Sequence, residues 1–210
     1  SWYQDVRFGQ SNNLGDPFRY QSWNGCSNLP KFNLSNPDVE NYFLQAIHFW
    51  IATFQIDGLR LDAADQVELN FWQQLRRSLE HTHPEFWLMG EVVHGNYQQW
   101  ANDTTLHSVT NYEAYKGLYS SFNDANFFEI AHTFNRQFGA QGIYKDLCLY
   151  NFVDNHDVNR IASQIKDKTH LFPLYALLFF MPGIPSIYYG SEWGVPGMRT
   201  HDSDFSLRPS

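Results

Sequence analysis

The sequence predicts an α/β protein with a parallel sheet under helical cover. Short apolar runs alternate with segments of helical period along the chain, the pattern of strands joined by crossover helices. About five strand–helix units can be placed in 210 residues. An eight-stranded barrel takes about 250 residues, so the chain reads either as an open α/β sheet or as part of a barrel. No GxGxxG or GxxxxGK turn follows any strand, which counts against a nucleotide-binding open sheet.

Residues 1–35 show no period and mix Ser, Asn, Gly and Pro with aromatics, so they read as an irregular loop region. Residues 35–54 predict a helix. Asn36 is its cap, Pro37 its first residue, Asp38 and Glu40 suit its positive end, and Val39, Phe43, Ile47, Trp50, Ile51 and Phe54 recur at helical spacing. Residues 56–63 read as a short buried strand, 66–82 as an amphipathic helix, 86–91 as a strand and 107–111 as a weak strand. Residues 123–138 read as a helix and 147–155 as a strand. Residues 168–181 read as a helix whose start is disturbed by Pro173, and 185–190 as a last strand.

Composition narrows the function. Net charge is −8, and the scattered basic residues form no phosphate-binding stripe, so nucleic acid is not expected as a partner. The 7 Trp, 12 Tyr and 18 Phe read first as a large aromatic core and second as rings available to stack on flat ligands such as sugars. Cys26 and Cys148 lack metal-ligand spacing and read as free buried thiols. No apolar run reaches about 18 residues, so no transmembrane helix is expected, and no signal peptide opens the chain. A cytoplasmic location is favoured.

Polar residues gather where three strands end. The first carries Arg60 and Asp62, which share one side of an extended chain; the second ends at Glu91. The third runs into Asp154, Asn155, His156, Asp157 and Arg160. The carboxyl ends of parallel strands are where α/β folds place their sites. Taken singly, Arg60 with Asp62 reads equally as an ion pair, Glu91 as a helix cap, and Asp157 as the cap of a following helix. Burying three carboxylates at one place is costly without a function. A Mg²⁺ or Mn²⁺ site is the other use of such acids, but Arg60 would compete with the cation. Two carboxyl groups also suit retaining glycoside hydrolysis, one attacking the anomeric carbon and the other protonating the leaving oxygen. An adjacent arginine keeps the nucleophile ionised.

The segments "GLRLDAADQV", "MGEVVHG" and "FVDNHDVNR" closely resemble the catalytic segments of the α-amylase family of glycoside hydrolases. "LPKFN" and "GIPSIYYGSEWG" resemble two further family segments, in the family's order. "LDAADQVELNFW", "LPKFN" and His94 are most similar to the cyclomaltodextrinase, neopullulanase and maltogenic amylase group. Asp65-Gln66 stands where ordinary α-amylases carry Lys-His, so the starch-chain and calcium contacts there do not transfer.

The resemblance implies a (β/α)8 barrel, present as about strands 4–8. Residues 1–35 would be the end of an inserted loop domain, and 36–210 the C-terminal part of the barrel. It implies Asp62 as nucleophile, Glu91 as general acid/base and Asp157 as the residue that holds sugar hydroxyls in the transition state. Arg60 would orient Asp62 and His156 would hydrogen-bond the sugar. His94, Trp23 and Tyr112 are further candidate sugar contacts. The implied partner is an α-glucan oligosaccharide or cyclodextrin. No cofactor is required for the chemistry, and a structural calcium has no ligand assigned in the sequence. A glucosyltransferase of the same fold and a non-catalytic glucan binder are the alternatives, and a chain with this much of the barrel is expected to be poorly active by itself.

Overall fold

The glycine- and aromatic-rich opening folds as short antiparallel pieces. Strand β1 (Arg7–Phe8) pairs with β2 (Phe18–Arg19), and single bridges join Tyr3 to Phe32 and Ser22 to Pro30. Residues 1–201 and 203–209 are described by this computed structural model. They divide into two units, Ser1–Leu88 and the residues from Met89 onward.

In the first unit, helix α1 (Pro37–Phe54) starts as its sequence predicts: the Asn36 side chain accepts from the Asp38 amide at 3.0 Å, and Pro37 occupies the first turn. Only Val39, Ile47 and Ile51 of its apolar positions are buried, while Trp50 and Phe54 face outward. Strand β3 (Gly58–Leu61) follows. Gly58 is required by a close approach, since a Cβ there would lie 2.5 Å from the Trp87 carbonyl oxygen. Helix α2 (Leu69–Glu80) buries Phe71, Trp72, Leu75 and Leu79 at the spacing of one helix face. Each such side chain contributes roughly 1.5–3 kcal/mol. The Trp72 indole N–H donates to the Ala64 carbonyl at 3.0 Å, tying α2 to the turn after β3.

Strand β4 (Trp87–Gly90) carries the chain into the second unit. There it pairs in parallel with β5 (Ser108–Val109), with Met89 opposite Ser108 and Gly90 opposite Val109. Helices α3 (Tyr112–Asn123) and α4 (Phe128–Phe138) come next. A parallel bridge joins Thr110 to Tyr150, the first residue of β6 (Tyr150–Phe152). After α5 (Ile161–Gln164) and α6 (Leu171–Phe180), β7 (Ile184–Ser186) lies parallel to β6. The strands of this unit therefore neighbour one another in chain order, without the reversal of a doubly wound sheet.

Leu118, Ile130, Val153, Ile161, Leu174 and Leu178 form the apolar core of the second unit. Beside it three buried amides satisfy one another. The Asn111 amide donates to Gln137 at 2.9 Å and to Asn151 at 2.8 Å, Gln137 returns a bond at 3.0 Å, and Asn151 donates to the Pro182 carbonyl.

Several elements differ from the sequence reading. Helix α3 goes unpredicted because Tyr, Gly and Ser are weak helix formers. Tertiary packing selects it: Ala114, Gly117, Leu118 and Ser121 form its buried face, and the Asn111 side chain caps it by accepting from Ala114. The helix expected from residue 123 begins at Phe128, because Asp124 N–H closes α3 on Ser120 and Ala125 turns left-handed. The helix expected from residue 168 opens with a 3-10 turn, Lys168–His170, and α6 itself begins at Leu171, with Pro173 in its first turn, where amides lack helical partners. The last strand ends at Ser186, and Gly190 turns the chain at φ 79°. Residues 56–63 are not a buried strand, since Arg60 and Asp62 reach solvent. The cysteines are free but not buried: Cys26 is half-buried and Cys148 exposed. Many rings lie outside the core, Phe172, Phe180 and Phe128 among them. Among the described residues no helix is long and apolar enough to cross a membrane.

Candidate active site

Each candidate acid stands in the chain that follows a strand. In the first unit, Asp62 directly follows β3. Arg60 and Asp62 form an ion pair, and the Asp62 side chain is 80% exposed. Ala63 turns the chain here with φ 43° and ψ 45°, a left-handed conformation that costs a non-glycine residue roughly 1–2 kcal/mol. Strain of this kind gathers at sites that must aim a side chain. Glu68, past the same turn, pairs with Lys31 at 3.3 Å. Trp23 lies in this unit on a short 3-10 turn, about half exposed.

In the second unit, Glu91 directly follows β4 and is half-buried. The exit of β4 is clamped to that of β5: the Val92 N–H donates to Thr110 Oγ1 at 2.9 Å, and that hydroxyl donates to the Val92 carbonyl at 3.0 Å. His94 is exposed on the loop beyond.

The loop after β6 carries His156 and Asp157. His156 Nε2 lies 3.0 Å from Asp157 Oδ2, and the Arg208 guanidinium lies 3.7 Å from the other oxygen. The Asn155 side chain accepts from the amides of Asp157 at 2.8 Å and Val158 at 3.1 Å, which fixes the Asp157 backbone. Asn155 also donates to the Tyr112 hydroxyl at 3.1 Å. The Tyr112 ring packs edge-on against Phe152, with centroids 4.8 Å apart. Asp157 borders a depression of about 510 Å³ shared with Tyr115, Tyr119, Asn159, Gln164, Arg199 and Thr200.

Asp154 and Arg160 depart from the common polar face expected of them. Both are buried, at 1% and 0% exposure. Arg160 donates to the carbonyls of Leu207 at 3.1 Å and Tyr189 at 2.5 Å and to Ser191 Oγ at 3.3 Å. Its guanidinium lies 4.3 Å from the Tyr188 ring centre. Asp154 accepts from Ser191 and from the Ile161 amide. Burial raises its carboxyl above the usual range, against the lowering effect of those two bonds and of Arg160. The costly buried carboxylate is thus Asp154, while Asp62, Glu91 and Asp157 keep access to solvent. Sequence reasoning missed Ser191, Arg199 and Arg208, which lie in irregular chain after β7, where no periodicity marks a side chain. Among the described residues no group of three His, Cys, Asp or Glu side chains gathers to hold a metal ion.

Asp62, Glu91 and Asp157 thus follow β3, β4 and β6, Asp62 paired with Arg60 and Asp157 beside His156. The profile of the α-amylase catalytic domain matches residues 3–207, and the chain belongs to that family. It is 29% identical over 199 residues to the intracellular maltogenic amylase of Bacillus subtilis, covering 93% of this chain and 33% of the relative. It is 32% identical over 174 residues to a cyclomaltodextrinase of a Bacillus species, covering 80% and 31%. The chain thus spans about a third of the length of these curated relatives. Among solved structures, the maltogenic amylase from S. marinus superposes with a TM-score of 0.75 at 30% identity, over 90% of this chain and 27% of that one. The cyclic alpha-maltosyl-(1→6)-maltose hydrolase from Arthrobacter globiformis shares the fold, with a TM-score of 0.81 at 24% identity over 99% and 47%. The family and these neighbours imply a (β/α)8 barrel.

Proposed function

We propose that this chain carries the catalytic acids of a retaining α-glucan hydrolase acting on α-1,4 links in starch-type oligosaccharides or cyclodextrins. The observation that carries this reading is the placement of Asp62, Glu91 and Asp157 at the exits of β3, β4 and β6 in a chain of the α-amylase family. Asp62 attacks the anomeric carbon and Glu91 protonates the departing oxygen; Glu91 then deprotonates the water that releases the sugar. Arg60 pairs with Asp62 and orients it for the attack. Asp157, beside His156, accepts hydrogen bonds from sugar hydroxyls that strengthen as positive charge develops on the ring. His94, Trp23 and Tyr112 are proposed as outlying sugar contacts. Strands β3–β7 would serve as strands 4–8 of the barrel, with residues 1–35 as the end of an inserted loop domain. The remaining strands would come from further polypeptide, and the chain by itself would release little sugar.

The test uses the longest polypeptide that the gene encodes, digesting cyclomaltohexaose while proton NMR resolves the anomers of fresh product. An initial α-anomer that disappears in Asp62→Asn supports the assignment. A β-anomer refutes the mechanism. Exclusive transfer to sugar acceptors assigns the same site to a glucosyltransferase.

A further inference from the structure

The loop between β6 and α5 holds His156 and Asp157, and its two ends are joined by one buried side chain. Asp154 Oδ2 reaches across the loop to accept the Ile161 amide, the first of α5, at 2.8 Å. The same oxygen accepts from Ser191 Oγ at 2.6 Å, tying the loop to the turn after β7. Asp154 is 1% exposed and Ser191 2%. Among the described residues the other carboxylate oxygen has no hydrogen-bond partner. Its two hydrogen bonds thus go to one donor at the loop's end and one in the turn after β7. Inside the loop, Asn155 holds the Asp157 and Val158 amides.

We propose that Asp154 is a positioning residue for the active site, setting the span of the 155–160 loop so that Asp157 and His156 meet the sugar in one arrangement. The proposal rests on the catalytic reading of Asp157 given above. Asp154 touches no substrate; it acts through the loop it closes. Asparagine can present a carbonyl oxygen to both donors, whereas alanine presents none. The two substitutions thus separate the acceptor from the charge. Because Asp157 acts in the transition state, displacing it lowers kcat more than it raises KM.

The experiment compares Asp154→Ala, Asp154→Asn and Ser191→Ala in the longest polypeptide the gene encodes. Circular dichroism reports folding. Histidine-labelled NMR at one fixed pH follows the His156 ring signal, assigned by its loss in His156→Gln. The expected result is a folded Asp154→Ala protein with a displaced His156 signal and kcat lowered about 10²-fold, as a small misplacement of a catalytic group does. Asp154→Asn restores both readouts. A folded Asp154→Ala protein whose His156 signal stays in place overturns the proposal, whatever its activity. If Asp154→Ala does not fold, Ser191→Ala decides: it removes one of the two donors, and an unmoved His156 signal overturns the proposal. A parent polypeptide without sugar release refutes the catalytic reading instead, while the His156 signal still reports on the loop.

Discussion

Replacing Arg160 by methionine tests the buried cluster behind the candidate site. The guanidinium is fully buried and donates to two backbone carbonyls and a hydroxyl. Hydrogen bonds from a charged group contribute about 1.5–3 kcal/mol each, and a desolvated cation over a tyrosine ring about 2. Desolvating the guanidinium costs several kcal/mol in the other direction. Methionine fills much of the volume without that cost, but it leaves the Leu207 and Tyr189 carbonyls without this donor and Asp154 without the cation that lowers its carboxyl. Breaking one partner out of a buried charged arrangement costs about 3–5 kcal/mol, and that is the expected loss. Urea unfolding followed by circular dichroism measures it. The double variant with Asp154→Asn should cost at least about 1 kcal/mol less than the sum of the singles, since neighbouring charges couple. A loss for Arg160→Met under about 1 kcal/mol, or strict additivity, would refute the reasoning.

Gly58→Ala should destabilise by about 1–3 kcal/mol, because the new methyl meets the Trp87 backbone oxygen rather than a movable side chain; thermal unfolding reads this directly. Glu91→Gln should lower kcat on cyclomaltohexaose by about 10²–10⁴-fold, the range of a lost general acid, and an unchanged rate would remove Glu91 from that role. Asp154 gives a pH prediction with a definite sign. Its folded carboxyl is raised, so the folded state holds this proton more tightly than the unfolded state does. Wild-type stability relative to Asp154→Asn should therefore fall as pH rises from the ordinary value of 3.8 through the raised one. A difference that stays flat or grows across that range contradicts the burial argument.

Local chemistry decided a good deal of this protein before any folding was considered. Asn36 and Pro37 start α1 because a side-chain acceptor and a fixed φ act within two residues. The strands β3, β4 and β6 were legible as short apolar runs, and Asp62, Glu91 and Asp157 could be placed at their exits from chain order alone. Tertiary structure decided what depends on partners distant in sequence. Helix α3 forms because α4 packs against it, so closely at Gly117 that a Cβ there would lie 3.2 Å from the end of the Ile130 side chain, and no propensity in the segment itself announces it. "DNHDVNR" supplied two acids, a histidine and an arginine of similar appearance. Packing separated them, leaving His156 and Asp157 at a solvent-facing loop and turning Asp154 and Arg160 inward to Ser191, Tyr189 and Leu207. Sequence sets which charges a loop carries, but burial depends on whether distant chain brings donors and acceptors to meet them, and only the folded protein supplies those.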